Sequence, residues 1–260
     1  MPQFDLKGAL RDRRVTIGSW IQLGHPALAE ILAHAGYDWL VVDMEHSDID
    51  LATFTNLARG MFGRRAAPLV RVPENDMLSI RLAFDQGAAG VIVPMVDTPQ
   101  QAREAVAASK YPPIGRRGFA APRCNEYGAE AAQYNAEANQ RTCVIVMIET
   151  KEAVENCREI VAVEGVDGVL IGTFDLSGSL GVTGETEHPR VLQAQRAVLE
   201  ACTREGKSAG IHVVFPTTDR VRGAVDGGFT FLAVGVDHVF LRERATEALA
   251  TVKAAVEDKR

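Results

Sequence analysis

Cysteine is scarce in this chain: four in 260 residues, Cys124, Cys143, Cys157 and Cys202, with no C-x-x-C spacing. That argues against a disulfide framework or a structural zinc site and suits the reduced thiols of a cytoplasmic protein. Long hydrophobic runs are missing as well. None approaches the roughly 20 residues of a membrane-spanning helix, and the start, Met-Pro-Gln-Phe-Asp-Leu-Lys-Gly, lacks the apolar stretch of a secretory leader. Positive charge is short: 28 Lys and Arg against 34 Asp and Glu give a formal −6. A nucleic-acid partner needs a cationic face, so that function class is set aside. Neither G-x-G-x-x-G nor G-x-x-x-x-G-K occurs, which weighs against an open doubly wound nucleotide-binding sheet.

What the chain has is a rhythm. Apolar residues make up 47% of it and charged residues 24%, with 23 Gly and 11 Pro dispersed along it, the composition of a globular domain with a sizeable core. Eight short β-branched runs recur: Thr16 to Leu23, Trp39 to Met44, Pro68 to Val72, Gly90 to Val96, Cys143 to Ile148, Gly168 to Gly172, Ala209 to Val214 and Phe229 to Val234. Each precedes a stretch of helical periodicity, and most are continuously apolar, as strands covered on both faces are. Eight βα units in 260 residues fit one (β/α)8 TIM barrel domain over 1–260. Helices are expected from Pro26 to Ala35, stopped by Gly36, from Asp76 to Gln86, stopped by Gly87, and from Thr98 to Ser109, before Tyr111-Pro112-Pro113. Pro112 to Arg141 is too long for a plain link and reads as a loop covering the site. Leu241 to Glu257, Ala-rich and amphipathic, reads as a helix packed on something apolar.

Catalytic groups of such barrels lie at the C-terminal ends of strands. Here strand two ends in Asp43-Met44-Glu45-His46, strand three at Arg71, strand five at Glu149, and strand six runs into Gly172-Thr173-Phe174-Asp175. Glu149 and Asp175, one βα unit apart, would repel each other in a shared mouth. Two hard oxygen ligands with no His-x-x-x-His or cysteine pair suit Mg²⁺ or Mn²⁺, with Co²⁺ a further candidate, better than Zn²⁺. The plainer alternative is that either carboxylate caps the helix after it. Arg71 ends an apolar strand, where it meets either an anionic ligand or an internal carboxylate. His46, next to two acids, is placed for proton transfer, with Asp43 and Asp85 as candidate orienting carboxylates. Each also has a plainer role, local hydrogen bonding for Asp43 and a helix end for Asp85. Amides between Gly172 and Gly181 could hold an anion. Gly115-Arg116-Arg117-Gly118 could place an arginine over that anion or form a solvated turn.

At these residues the chain resembles the HpcH/HpaI family of class II pyruvate aldolases, in the phosphoenolpyruvate/pyruvate barrel superfamily. The matching stretches are Ala35-Gly36-Tyr37-Asp38-Trp39, Asp43-Met44-Glu45-His46, Val93-Pro94-Met95-Val96, Tyr111-Pro112-Pro113, Ile148-Glu149-Thr150, Val163-Glu164-Gly165-Val166-Asp167-Gly168 and Asp175-Leu176-Ser177. The resemblance implies a divalent metal on Glu149 and Asp175 that chelates pyruvate, with Arg71 supporting the keto oxygen. It implies proton transfer by His46 assisted by Asp85, the pyruvate carboxylate on amides of Phe174 and Asp175, and an aldehyde as second substrate. It also implies a hexamer of dimers that exchange their last helix. The chain departs from the family pattern at Met147, where a Gln is usual, at Thr173 and Phe174 in place of a Gly-Pro-x-Asp turn, and at His212, in an apolar position on strand seven that lines the substrate pocket. Alternatives are an acyl-CoA lyase of the citramalyl- or malyl-CoA type, a Schiff-base aldolase for which only Lys151 comes near a strand end, and a barrel that binds a keto acid without turnover.

Overall fold

The alternation of apolar runs and amphipathic stretches closes into a ring. In a computed structural model describing residues 3–257, eight parallel strands form one closed barrel in chain order: β1 (Thr16–Ile21), β2 (Trp39–Asp43), β3 (Ala67–Arg71), β4 (Gly90–Val93), β5 (Cys143–Ile148), β6 (Gly168–Ile171), β7 (Ser208–Val213) and β8 (Phe231–Val236). Before and between them run α1 (Leu6–Arg11), α2 (Pro26–Ala35), α3 (Leu51–Gly60), α4 (Met77–Asp85), α5 (Pro99–Ser109), α6 (Ala131–Arg141), α7 (Lys151–Glu155), α8 (Cys157–Val161), α9 (Thr173–Ser179), α10 (Pro189–Arg204) and α11 (Thr218–Asp226), and α12 (Asp237–Glu257) follows β8. Each of the eight expected runs overlaps a strand, so the chain is a TIM barrel. No helix among the described residues is long and apolar enough to cross a membrane.

Local chemistry sets the helix ends. Thr98 and Gln101 form a reciprocal capping box ahead of α5, with Pro99 in its first turn. Asp76 accepts the Leu78 and Ser79 amides at the start of α4. Gly36, at φ +100, ends α2 in the left-handed region that glycine enters without strain.

Strand parity produces two apolar layers. Outward residues such as Leu40, Val42, Val70, Val144 and Val169 pack beneath the helices. Inward residues Trp39, Val41, Leu69, Ile145, Leu170 and Phe231 fill the lumen, each full burial of this kind being worth about 1.5–3 kcal/mol. Trp39 stacks on Phe231 with centroids 4.1 Å apart, and a Cβ at Gly18 would stand 2.1 Å from the Trp39 ring, so the indole needs glycine there. Leu6 and Leu10 of α1 join the inner layer and plug the floor. Carried one step past the lumen residues, the same parity turns Asp43, Arg71, Glu149, Gly172 and His212 inward at the mouth.

One expectation needs correction. The long connection does not cover the mouth of its own chain. It leaves α5 after that helix has run back from mouth to floor, and through a 3₁₀ turn at Arg123–Gly128 and α6 it feeds the start of β5. Lys110, at its beginning, donates to the Thr142 carbonyl at 2.6 Å beside that strand's first residue. The expected C-terminal helix forms, and its apolar residues are uncovered within one chain: Leu241, Leu249, Val252 and Val256 of α12 are each more than half exposed.

Candidate active site

Register builds the first half of the site. Asp43 ends β2 directly opposite Arg71 at the end of β3. Arg71 Nε and Nη2 donate to the two Asp43 carboxylate oxygens at 2.8 and 2.6 Å. Arg71 Nη1 lies 3.0 Å from Glu45 Oε2, an ion pair without hydrogen-bond alignment. The guanidinium also sits 4.5 Å from the Trp20 ring centroid. A lone buried guanidinium would be costly; two carboxylates and an aromatic face offset that cost. Of the two readings of Arg71, the internal ion pair is present, and it leaves three of the five guanidinium N–H groups uncommitted to Asp43.

Asp43 is fully buried. Burial alone would raise its pKa, but hydrogen bonds and charge from Arg71, with help from Gln22 and the His46 amide, hold it below the ordinary carboxylate value. Gln22 Nε2 donates at 2.6 Å, and the Glu45 and His46 amides donate to Oδ1 at 3.1 and 3.2 Å. The Ser47 hydroxyl donates to the Asp43 carbonyl. One carboxylate therefore fixes Arg71 and shapes the turn that presents His46. The His46 side chain is 60% exposed, with Nε2 3.9 Å from Glu45 Oε2.

The second half comes from β5 and β6. Glu149, just past β5 and 3% exposed, accepts the Met95 amide on Oε1 at 2.7 Å. Met95 makes that contact from φ +53, a left-handed conformation that an unbranched side chain adopts only at a cost. A Cβ at Gly172 would come within 2.4 Å of Glu149 Oε2 and 2.6 Å of its Cβ, so glycine leaves the room this carboxylate occupies. Thr150, not Glu149, caps α7, which removes the helix-cap reading of Glu149. Asp175 stands exposed in the first turn of α9, whose N-terminus has no side-chain cap. Burial pushes Glu149 up to about 7; the Met95 amide opposes this, and the charges of Glu45 and Asp175 add to it. A buried carboxylate within the electrostatic reach of two other acids has the donor chemistry of a hard divalent cation. Among the described residues no three His, Cys, Asp or Glu side chains converge as a complete cage.

His212 lies inward on β7. Its Nε2 is 3.0 Å from the Gly235 carbonyl oxygen and its ring centroid 5.5 Å from that of Trp20. Burial pushes it down to about 4, and the charge of Arg71 works in the same direction.

The structure does not bring Asp85 to His46 within one chain. Asp85 is the last residue of α4, at the floor, and accepts Arg117 Nη2 at 2.8 Å. Arg117 is in turn neither solvated nor aimed at the mouth: it is buried, with its guanidinium 4.6 Å from the Tyr111 ring centroid. Lys151, the Schiff-base candidate, has a 66% exposed side chain 3.6 Å from Glu155, a solvated surface pair instead of a desolvated amine. Four residues of the mouth were missed by sequence reasoning: Trp20, Gln22, Met95 and Asp237. Asp237 is buried and accepts the Gln22 and Leu23 amides, tying the end of β8 to the loop that carries Gln22. Gln22 and Asp237 are polar residues following apolar strands, the same signal that exposed Glu149.

Comparison with known proteins places the fold in a family. A profile of the family described as HpcH/HpaI aldolase/citrate lyase matches residues 16–243. A 5-keto-4-deoxy-D-glucarate aldolase from Escherichia coli is 38% identical over 245 residues, 94% of each chain. The crystal structure of an HpcH/HpaI aldolase/citrate lyase family protein from Burkholderia cenocepacia superposes with a TM-score of 0.91 at 34% identity, covering 95% of this chain and 98% of that one. That of an HpcH/HpaI aldolase from Desulfitobacterium hafniense gives 0.86 at 30% identity over 97% of both chains. Alike in sequence and in fold over nearly its whole length, the chain belongs to the HpcH/HpaI aldolase/citrate lyase family.

Proposed function

We propose that the chain is a divalent-metal-dependent aldolase that reversibly cleaves a 4-hydroxy-2-oxo acid to pyruvate, or a close 2-oxo acid, and an aldehyde. The observation that carries this reading is the buried Glu149, held by the Met95 amide, on the same barrel mouth as Arg71 and Asp175. The Escherichia coli relative, an aldolase by name, supports the reaction class.

Glu149 and Asp175 would hold Mg²⁺ or Mn²⁺, with Co²⁺ as a substitute. When bound, the ion supplies Lewis acidity at the substrate's keto oxygen. The amides of Phe174 and Asp175, at the turn begun by Gly172, receive the 2-oxo acid carboxylate. Arg71 donates from the N–H groups that Asp43 does not use to the keto oxygen as negative charge develops there. In cleavage, His46 takes the proton of the 4-hydroxyl, the C3–C4 bond breaks with its electron pair moving to the keto side as the aldehyde C=O forms, and His46 returns the proton to C3 to give pyruvate. Within one chain Glu45 is the carboxylate nearest the His46 ring and Asp43 sets its turn, whereas Asp85 is remote. His212 lines the substrate pocket.

The proposed assembly is a homo-oligomer, a hexamer made of three dimers that exchange α12. Supporting it, Ile17 on the outward face of β1 is 42% exposed, where an eighth helix would cover a barrel strand, while the apolar residues of α12 are themselves uncovered. The helix of a second copy laid on that strand would bury both. A cytoplasmic setting suits the four free cysteines.

The test is NMR of pyruvate methyl exchange in D₂O, on protein stripped with chelator and restored with Mg²⁺ or Mn²⁺. Exchange is expected only with metal. Glu149→Ala and Asp175→Ala should lose metal binding and exchange together, while His46→Ala should keep metal and lose about 10² to 10⁴ in cleavage rate. Metal-independent exchange, or full activity in His46→Ala, would overturn the mechanism. No exchange with any ion would move the assignment to an acyl-CoA lyase of the same family or to a keto-acid-binding barrel.

A further inference from the structure

One layer of the mouth holds polar groups that the mechanism above leaves unmatched. His212 occupies an inward position of β7, opposite Ala233 of β8. Its Nε2 faces the Gly235 carbonyl oxygen at 3.0 Å. A carbonyl only accepts, so Nε2 carries the proton, and a neutral ring then presents Nδ1 as a bare acceptor. The ring stays neutral at pH 7 because burial has lowered its pKa to about 4. The Nε2 contact is the one hydrogen bond of the part-exposed His212 ring among the described residues, which leaves Nδ1 open. The neighbouring ring, Trp20, carries the opposite deficit: its indole N–H is buried and has no acceptor.

An acceptor without a donor, beside a donor without an acceptor, selects among substituents. An alkyl group would leave both unsatisfied. A carboxylate would suit the indole but meet the Nδ1 lone pair, and an ammonium would suit Nδ1 but enter beside Arg71, whose guanidinium lies 4.5 Å from the Trp20 ring. A hydroxyl both donates and accepts. We propose that the His212 and Trp20 pair reads a hydroxyl on the carbon chain of the substrate, so that hydroxylated substrates are preferred over their alkyl analogues. This deepens the aldolase reading and rests on it for the reaction used as a readout.

The hydroxyl can belong to either substrate, and two isosteric pairs separate the sources: glycolaldehyde against propanal as acceptors for pyruvate, and hydroxypyruvate against 2-oxobutanoate as donors. Each pair exchanges a hydroxyl for a methyl. Relative kcat/KM and calorimetric affinity are measured for wild type, His212→Leu and His212→Gln. Wild type should favour the hydroxylated member of one pair by about 10-fold or more. His212→Leu should abolish that preference, and His212→Gln, which keeps an acceptor, should restore part of it. Nitrogen-15 NMR of the wild-type ring adds a readout independent of any variant's folding, with protonated Nε2 and bare Nδ1 expected at pH 7. No preference in either pair, a preference that survives His212→Leu, or a proton on Nδ1 would overturn the proposal. Failure of turnover with every aldehyde would count against the aldolase reading alone, since the calorimetric ranking within each pair still decides the role of His212.

Discussion

A few side chains define the chemistry, and Asp43 shows how one residue can hold several others. Its two oxygens receive Arg71, Gln22 and the amides of Glu45 and His46, so Arg71 and the turn that carries His46 share one support. His212 carries a pH signature. Its native pKa near 4 lies below the ordinary value of 6.5. Between those values the unfolded chain binds a proton that the native ring refuses, so stability is lost as pH falls through that window. Denaturant unfolding at pH 7 and pH 4.5 should show wild type losing about 2 kcal/mol more than His212→Gln. Equal losses would show that the ring is not buried in neutral form. Arg71, Glu149 and His46 were legible because each is a polar residue following an apolar run. Gln22 was hidden because Leu23 continues the run beyond it, and Asp237 because the last strand reads from sequence as ending at Val234, two residues short of its real end. The bidentate contact of Arg71 was not legible at all, since it depends on register between residues 28 apart.

Secondary-structure elements decide where those side chains can meet. The caps of α2, α4 and α5 were readable because Gly36, Asp76 and Thr98 act within one turn of themselves. The placement of the long segment after α5 was not. Its length marks it as unusual, but which end of the barrel it occupies follows from helix direction, and a segment leaving a helix is already at the floor. The same reasoning removes Asp85 from the mouth, since the nine residues of α4 carry it about 13 Å down the barrel wall. At the start of α9 the close approach of Gly172 to Glu149 gives a test of positioning. Gly172→Ala has an allowed backbone, at φ −80, so the fold should survive with its circular dichroism unchanged. Its Cβ must displace the carboxylate, and Mg²⁺ affinity measured by calorimetry should fall about 10-fold or more. Unchanged affinity would mean that Glu149 does not hold the ion.

The whole molecule is a barrel whose last helix lacks a seat in its own chain. A truncation after residue 240 should leave the ring of eight strands intact, because α12 touches it only at its first turns. Sedimentation of that truncation should show monomer where the full chain sediments as a larger assembly; an unchanged sedimentation coefficient would refute the exchange. The floor has a different consequence. Leu6, Leu10, Trp39 and Phe231 close one end of a packed barrel interior, so a ligand at the strand ends can be reached only from the mouth. Under the proposed mechanism, pyruvate held at the strand ends would sit behind the aldehyde, and the two products would leave in sequence, aldehyde first. Steady-state inhibition should record that queue: pyruvate competing directly with the aldol substrate for empty enzyme, and the aldehyde inhibiting noncompetitively by trapping the form that still holds pyruvate.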